Sequence, residues 1–237
     1  MESKLAVQLR ELGITQIADA EQTFDSYFGL LLAWNEKMNL TAITAYDEVI
    51  EKHFVDSLTI VKAINMEKCK SLIDIGTGAG FPGIPLKIVF PHLHVVLVDS
   101  LDKRISFLNE VINTLQLQDI MAIHGRAEGL GKDESYREQF DLCVSRAVSN
   151  LSTLSEYCLP FVRIGGKFIS YKGKQAKEEM NKAKRSWEML GGELDKVIPF
   201  QLSDSKEDRT LVVIDKVDTT PIKYPRRAGI PEKRPLK

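Results

Sequence analysis

Residues 71–83 read Ser-Leu-Ile-Asp-Ile-Gly-Thr-Gly-Ala-Gly-Phe-Pro-Gly, an apolar run that leads into closely spaced glycines. The apolar run predicts a buried strand, and the glycines predict a tight turn at its carboxyl end. Glycine has no Cβ and tolerates positive φ, so this turn can bring backbone close to a ligand. We therefore predict a nucleotide-type site formed by Asp74, Gly76, Gly78, Gly80 and Phe81.

A second apolar strand, residues 93–98, ends at Asp99, sixteen residues after Gly83. A carboxylate at the end of this strand is placed to accept hydrogen bonds from ribose hydroxyls. Asp99 is therefore a further candidate cofactor-binding residue.

Predicted strands and helices alternate after the glycine turn. Strands are expected at 71–75, 93–98, 119–124, 139–145 and 166–171, and helices at 83–90, 101–116, 149–158 and 175–190. This alternation indicates a parallel sheet covered on both faces. Two later strands, at 194–201 and 210–216, resemble an antiparallel hairpin. The prediction is an α/β fold with a Rossmann-like, mostly parallel sheet and an antiparallel C-terminal strand.

The sequence pattern of the first part of the chain predicts helices instead. Apolar residues recur there at helical spacing in three stripes: Leu5, Leu9 and Leu12; Phe24, Phe28 and Leu31; and Ile50, Phe54, Leu58 and Val61. We predict a helical segment at 1–66 packed on a core domain at 67–217. A basic, proline-rich tail follows at 218–237.

Composition excludes several classes of protein. Hydrophobic residues make up 43% of the chain and charged residues 27%, which is typical of soluble globular proteins. No apolar run approaches the ~20 residues that span a bilayer, and the N-terminus lacks the apolar core of a signal peptide. The three cysteines and four histidines show no metal-ligand spacing. We expect a cytoplasmic monomer with no membrane partner and no metal.

The net charge of −1 conceals an uneven distribution. Residues 166–185 contain seven Lys/Arg and two Glu, and residues 223–237 contain six Lys/Arg and one Glu, so the two segments sum to +10. The net charge of the rest of the chain is therefore −11. Segregated positive charge attracts polyanions and favours an RNA partner. The candidate RNA-binding surface lies on the helix predicted at 175–190 and on the residue just before it. It carries Lys174, Lys177, Lys182, Lys184 and Arg185.

Two cofactors are compatible with a glycine turn of this kind. Residues 78–83 satisfy the Gly-x-Gly-x-x-Gly pattern of NAD enzymes. In those enzymes the first glycine directly follows the strand, and here that glycine is Gly76, so the pattern that starts at the strand end is Gly-x-Gly-x-Gly instead. Pro82 and Pro85 also remove N–H donors where a pyrophosphate requires them. S-adenosylmethionine has no phosphate and carries a cationic amino group and sulfonium. Asp74 offers a carboxylate to its amino-acid end, so the sequence favours this methyl donor over NAD.

Polar residues follow three further predicted strands. Gly125-Arg126-Ala127-Glu128 comes after the third strand, where Ala127 and Glu128 could meet the polar edge of adenine. Arg146 follows the fourth strand, and Tyr171-Lys172-Gly173 ends the fifth. Ligands of open α/β sheets bind at this carboxyl edge, which makes Arg146 and Lys172 candidate site residues.

The chain resembles the bacterial 16S rRNA guanine-N7 methyltransferase family, formerly glucose-inhibited division protein B. The resemblance is carried nearly end to end by these segments: Trp34-Asn35-Glu36, Asn39-Leu40-Thr41, Lys52-His53-Phe54-Val55-Asp56-Ser57, the glycine turn with Ile84-Pro85-Leu86, Val98-Asp99-Ser100, Arg126-Ala127-Glu128, Ser145-Arg146-Ala147 and Tyr171-Lys172-Gly173. Some members of the family stop before a tail like residues 223–237, which leaves the role of that tail open.

The resemblance implies a class I, S-adenosylmethionine-dependent enzyme that methylates a guanine in the decoding region of 16S rRNA, either free or in the 30S subunit. It also implies cofactor contacts by Gly76, Phe81, Ala127, Glu128 and Arg146. Two other function classes stay open: an NAD-dependent oxidoreductase, and a non-catalytic RNA-binding ribosome-assembly factor.

Methylation at guanine N7 explains why no catalytic dyad is evident. N7 is a neutral nucleophile with no proton to lose, so the reaction needs alignment rather than a general base. Arginine paired to O6 and N7 would block the reacting atom, so Arg146 is expected to bind the cofactor carboxylate or a phosphate. Asn39 is a candidate for holding the guanine. The predicted catalytic residues are Asn39, Arg146 and Lys172.

Overall fold

The computed structural model describes residues 2–15 and 18–237, which form a seven-stranded sheet with helices on both faces. The strands, in chain order, are β1 (Ser71–Ile75), β2 (His94–Asp99), β3 (Ile120–His124), β4 (Phe140–Arg146), β5 (Val162–Lys172), β6 (Gly192–Gln201) and β7 (Asp208–Lys216). Their order across the sheet is β3-β2-β1-β4-β5-β7-β6.

Only β7 runs against the direction of the other strands. The pairs β1–β2, β1–β4, β2–β3 and β4–β5 are parallel, and β7 is antiparallel to both β5 and β6. The predicted α/β fold, with a mostly parallel sheet and an antiparallel C-terminal strand, is confirmed. Because β1 lies between β2 and β4, the connections leave it in opposite directions and open a crevice at its carboxyl end.

Ten α-helices are described: α1 (Lys4–Glu11), α2 (Ala18–Asn35), α3 (Tyr46–Val49), α4 (Asp56–Leu58), α5 (Gly83–Val89), α6 (Asp102–Thr114), α7 (Ala127–Leu130), α8 (Leu151–Cys158), α9 (Ala176–Met189) and α10 (Ile230–Lys233). Short 3₁₀ turns are at Thr59–Lys62, Met66–Lys68 and Leu159–Phe161. None of the helices in the described ranges is both long and apolar enough to cross a membrane.

Successive strand residues point to opposite faces and contribute to two hydrophobic clusters. Leu72 and Val95 belong to the cluster that contains the N-terminal aromatic residues Phe24 and Phe54. On the other face, Ile73 and Val96 pack with α8 and α9, including the following side chains: Leu154, Ala183 and Trp187. The N-terminal helices therefore share a core with the sheet.

The third apolar stripe does not form the continuous helix that its spacing suggests. Ile50, Phe54 and Leu58 are all fully buried, but Ile50–Val55 forms a π-helical turn between α3 and α4. A π-turn widens the helix and shifts the side chains and carbonyls that follow it, and such turns are frequent at functional sites. Periodicity of apolar residues cannot distinguish this local widening from a regular helix.

The residues after β7 pack against the core. Tyr224 and Leu236 are buried in the cluster on the α8 and α9 face. Glu156, which is fully buried, accepts hydrogen bonds from Arg226 Nε and Nη2 at 2.9 and 2.6 Å. The proline-rich tail predicted at 218–237 is therefore an ordered covering of this face.

Candidate functional site

The glycine turn connects β1 to α5 at the crevice. Gly76, Gly78 and Gly80 all have positive φ, between +62° and +94°, as the sequence pattern indicates. A Cβ at Gly76 would also collide with the side chain of Val148. The turn thus needs glycine at this position for conformation and for space.

Nearly every N–H of the turn is used inside the protein. Gly76 and Thr77 donate to Val98 O at 2.9 and 3.1 Å, and Gly78 donates to Asp99 Oδ2 at 3.0 Å. The N–H groups farther along also have internal acceptors: Gly80, Phe81, Gly83, Ile84 and Leu86. Pro82 and Pro85 have no N–H. Within residues 76–86 this leaves only Ala79 without an acceptor, so the turn lacks the row of free donors that a diphosphate requires.

Asp74, on β1, supports the turn through hydrogen bonds. Its carboxyl group is fully buried, and Oδ2 accepts hydrogen bonds from Thr77 Oγ1 at 2.8 Å and Gly83 N at 2.9 Å. Oδ1 is buried without a hydrogen-bond partner among residues 2–15 and 18–237. Burial raises the pKa of Asp74 to about 7 despite these hydrogen bonds. The contact predicted between Asp74 and a cofactor amino group would need this enclosed carboxyl to open, and the geometry instead makes Asp74 a support for the turn.

The buried Asp74 predicts a pH-dependent stability. Its pKa is near 3.9 when unfolded and about 7 when folded, so the folded state binds more protons between these values. The contribution of Asp74 to stability is complete below pH 4 and is lost as the pH rises through 7. Relative to Asp74→Asn, which cannot ionise, wild type should lose about 3 kcal/mol of unfolding free energy from pH 5 to pH 8.

Denaturant unfolding of both proteins without cofactor, at a series of pH values, measures this difference. The comparison needs only the pH dependence of the difference, so a constant effect of the amide does not matter. Unfolding free energies that stay parallel from pH 5 to pH 8 would show that Asp74 is already ionised in the folded protein.

Asp99 ends β2 directly beside the turn. In addition to the Gly78 N–H, its carboxylate accepts hydrogen bonds from Leu101 N at 3.0 Å and Arg104 Nη1 at 3.1 Å. A carboxylate has about four lone-pair directions, so one acceptor position remains for a ligand hydroxyl. Asp99 therefore supports the turn and keeps one acceptor position open toward the cavity.

A cavity of about 200 Å³, which we call the glycine-turn cavity, opens beside these residues. Four predicted cofactor residues line it together: Gly76, Asp99, Ala127 and Glu128. Its charged lining consists of the carboxylates of Asp99, Glu128 and Glu232 and one basic residue, Arg126. The cavity therefore suits a ligand that is neutral or cationic better than one with a diphosphate.

Glu128 and Tyr157 form one end of the glycine-turn cavity. Glu128 is buried, and its Oε1 accepts a hydrogen bond from Gly229 N at 2.9 Å. Burial, followed by the nearby charges of Glu128 and Glu232, raises the pKa of Tyr157 to about 12. Tyr157 is therefore a neutral phenol over the physiological pH range.

A second cavity, of about 600 Å³, contains two of the predicted catalytic residues, Arg146 and Lys172. We call it the Arg146 cavity. It lies between the N-terminal segment and the carboxyl ends of β4 and β5, and its lining also includes these residues: Ile43, Lys52, His53, Asp56, Tyr171, Glu207 and Arg209.

The Arg146 guanidinium is held by the π-turn. Nη1 donates to Lys52 O at 3.1 Å and to Asp56 Oδ2 at 3.2 Å, and the guanidinium carbon lies 5.0 Å from the centre of the Phe81 ring. Arg209 Nε donates to the same carboxylate oxygen at 3.2 Å. These contacts fix one side of the Arg146 guanidinium, and its pairing with a cofactor carboxylate or phosphate stays a prediction.

Phe81 and His53 form a stacked pair beneath Arg146. Their ring centres are 4.6 Å apart with an angle of 19° between the planes, and Phe81 is buried. His53 Nε2 is 2.8 Å from Thr41 Oγ1. Burial and the adjacent Arg146 lower the pKa of His53 to about 3, so the ring is neutral. Phe81 itself lines neither cavity, which does not support the contact predicted for it.

Lys172 is also paired within the Arg146 cavity. Its Nζ lies 2.8 Å from Glu179 Oε2 and donates to Ser149 O at 2.5 Å. Glu179 Oε2 in turn accepts a hydrogen bond from Leu151 N at 2.8 Å. Lys172 therefore connects the end of β5 to the segment that leads into α8.

Val148 and Ser149 separate the two cavities. They are the residues common to both linings, and the Val148 side chain lies over Gly76. Ala147, just before them, has a φ of +57°, which is uncommon for a residue with a Cβ. A group that passes from one cavity to the other must cross this short partition.

Several predicted site residues fall outside both cavities. Asn39 is exposed in the turn after α2 and lines neither cavity. The turn that contains Asn39 is held by Asn35, whose Oδ1 accepts hydrogen bonds from the N–H groups of Leu40 and Thr41. Asp74, Gly78 and Gly80 support the glycine turn without lining the cavity.

Other residues of the two cavities could not be identified from the sequence. Tyr157, Val148 and Glu232 carry no motif that marks them, and only the fold brings them to the crevice. Asp56 lies in a segment quoted for the family resemblance, but no spacing pattern connects it to Arg146 or Arg209. No group of three or more His, Cys, Asp or Glu side chains in the described ranges is arranged to bind a metal ion.

A third and larger depression, of about 1050 Å³, continues from the Arg146 cavity along α9, and we call it the α9 groove. It shares Ser149 and Glu179 with the Arg146 cavity. Its basic residues are Lys182, Lys184, Arg185 and Lys237, and its acidic ones are Glu178, Glu179 and Glu188. Part of the predicted basic surface thus lies next to the Arg146 cavity.

The sheet order, the glycine turn and the cavity at the end of β1 define a class I methyltransferase fold. Solved structures with this fold include an S-adenosylmethionine-dependent methyltransferase from Aquifex aeolicus, with a TM-score of 0.53 and 16% identity over 70% of this chain and 92% of that one. TrmN from Thermus thermophilus gives a TM-score of 0.52 at 14% identity, over 69% of this chain and 48% of that one.

The chain belongs to the rRNA small subunit methyltransferase G (GidB) family, whose sequence profile matches residues 20–211. Its relatives include ribosomal RNA small subunit methyltransferase G of Lachnoclostridium phytofermentans, 51% identical over 96% of this chain and 94% of the relative. The protein of the same name from Brevibacillus brevis is 47% identical over 98% of both chains. The family resemblance seen in the sequence is confirmed.

Proposed function

We propose that the protein transfers a methyl group from S-adenosylmethionine to N7 of a guanine in small-subunit rRNA. The observation that carries this proposal is the glycine-turn cavity, where all but one of the turn's N–H groups have acceptors inside the protein and where three of the four charged lining residues are acidic. Such a site suits a donor with a sulfonium and no phosphate. The names of the relatives support small-subunit rRNA as the substrate.

The cofactor would be held by residues from three strand ends. Gly76 gives close approach, Asp99 has an acceptor position left for a ribose hydroxyl, and Ala127 with Glu128 would meet the adenine edge. Asp74 would act through the conformation of the turn rather than by contact. S-adenosylmethionine supplies an activated methyl group on a sulfonium that leaves as a neutral thioether.

The Arg146 cavity is the proposed guanine site. N7 has a lone pair and no proton, so its residues need to align the base and exclude water rather than remove a proton. The charged side chains fit this role because Arg146, Asp56 and Arg209 are tied to one another, and His53 is neutral. Methyl transfer would take place at the partition formed by Val148 and Ser149.

The target guanine must leave its stack to enter a cavity of this size, so a single-stranded rRNA loop is the expected form of the substrate. The flanking strand would follow the α9 groove, which begins at residues shared with the Arg146 cavity. Exposed Lys182, Lys184 and Arg185 would then contact its phosphates.

The two alternative functions make different predictions for ligand binding. An NAD-dependent oxidoreductase requires a diphosphate site, which conflicts with the hydrogen bonds of the turn. A non-catalytic assembly factor would not need the intact glycine-turn cavity. The cavity geometry therefore favours the methyltransferase.

Titration calorimetry with S-adenosylmethionine and with NAD tests the choice of cofactor. We expect saturable binding of one S-adenosylmethionine per chain and no heat from NAD beyond dilution. Binding of NAD alone would overturn the proposed function, and binding of neither ligand would favour the assembly factor.

A further inference from the structure

The C-terminal segment, residues 218–237, lies beyond the part of the chain matched by the family profile and yet reaches the glycine-turn cavity. Glu232, on α10, is one of the lining residues. We propose that this segment forms the outer wall of the methyl-donor cavity and that Glu232 contacts the adenosine half of the cofactor. This inference rests on the proposed function and adds a binding residue to it.

The segment is fixed in place along its length. Arg137 Nη1 donates to Tyr224 O at 2.9 Å, and Arg226 pairs with the buried Glu156. Nearer the end of the chain, Thr153 Oγ1 donates to Pro231 O at 3.2 Å and Ser186 Oγ donates to Leu236 O at 2.8 Å. These contacts hold α10 on both sides of Glu232, so its position at the cavity is determined by the fold.

The segment also acts on a predicted cofactor residue. Gly229 N donates to Glu128 Oε1, so the backbone just before α10 orients the carboxylate that we expect at the adenine edge. The same end of the cavity contains Tyr157, whose pKa is raised in part by Glu128 and Glu232. Glu128, Tyr157 and Glu232 therefore converge at one end of the cavity.

Glu232 is free to bind a ligand. Its side chain is exposed, and within residues 2–15 and 18–237 no hydrogen bond or ion pair uses its carboxylate. A carboxylate accepts hydrogen bonds from amino and hydroxyl groups, and the adenosine half of the cofactor offers both. The contact with the amino group or a ribose hydroxyl would be charge-assisted.

Calorimetry on the full-length protein and on Glu232→Ala tests this contact with two ligands, S-adenosylmethionine and 5′-methylthioadenosine, which is neutral and keeps the adenosine half. We expect Kd to rise about tenfold for both ligands, because the lost hydrogen bond is to the part that they share. Glu134→Ala, a change at an exposed glutamate outside the cavity, is the matched control and should leave both values unchanged. Melting temperatures check that each variant is folded.

Each other outcome rejects the contact. Equal affinities of wild type and Glu232→Ala would show that Glu232 does not touch the cofactor. A larger loss for S-adenosylmethionine than for the neutral ligand would mean that Glu232 acts on the sulfonium charge at a distance. Failure of wild type to bind S-adenosylmethionine would instead reject the proposed function, so the two failures are distinguishable.

Discussion

Arg146→Met should lower the rate of rRNA methylation on the order of a hundredfold while changing the affinity for S-adenosylmethionine by less than about threefold. Arg146 holds the Lys52 carbonyl of the π-turn and the carboxylate of Asp56, and so shapes the proposed guanine site. It does not line the glycine-turn cavity. The expected loss is therefore in the alignment of the base, measured as single-turnover methylation with saturating cofactor.

The same substitution should also destabilise the fold. Asp56 is buried, its Oδ1 has no hydrogen-bond partner in the described part of the chain, and Arg209 would remain as its only charge partner. Breaking a buried pair typically costs 3–5 kcal/mol, and the remaining arginine reduces the expected cost to about 2–4 kcal/mol.

Arg209→Met is the matched comparison, because it removes the other partner of Asp56 and leaves the contact between Arg146 and the π-turn. It should lose similar stability but less methylation rate than Arg146→Met. A loss of cofactor affinity of about tenfold or more in Arg146→Met would show instead that Arg146 contacts the cofactor directly, as the family resemblance implies.

Reversing the charge of two lysines in the α9 groove should weaken rRNA binding on the order of a hundredfold at low salt. Lys182 and Lys184 are exposed, and neither forms an ion pair with another described residue. If both contact phosphates, Lys182→Glu/Lys184→Glu should reduce the slope of log K against log salt by about 1.4, since each single-strand phosphate contact contributes about 0.7. Filter binding or fluorescence anisotropy over a range of salt concentrations measures both quantities.

Lys68→Glu/Lys70→Glu is the control for this experiment. These lysines are exposed near the amino end of β1, on the sheet edge opposite the cavities, and the change in net charge is the same. The control should keep most of the affinity and the wild-type salt slope. Equal weakening in both variants would show that net charge, and not the α9 groove, governs RNA binding.

The sequence was sufficient for the framework of the site because that framework depends on local patterns. The apolar run before Gly76 and the glycine spacing place a turn at a strand end, and the alternation of strands and helices then brings Asp99, Ala127 and Arg146 to one sheet edge. Each step uses only near neighbours in the chain or a general rule of parallel sheets.

The contacts of individual side chains could not be predicted because they join distant parts of the chain. Arg146 meets Asp56 across 90 residues, and Gly229 meets Glu128 across 101. The burial of Asp74 depends on the whole crevice, and a buried support and a ligand contact have the same sequence. Asn39 belongs to a recognisable segment but lines neither cavity, so its role toward the guanine stays a prediction.

Mass spectrometry of nucleosides shows whether the protein methylates N7 of a guanine in small-subunit rRNA. Purified protein would be incubated with S-adenosylmethionine carrying an isotopically labelled methyl group and with unmethylated small-subunit rRNA, either free or in 30S subunits. We expect labelled 7-methylguanosine at one guanine of a single-stranded loop with at least one of these substrates. Absence of label from both, or label only on another atom or base, would contradict this expectation.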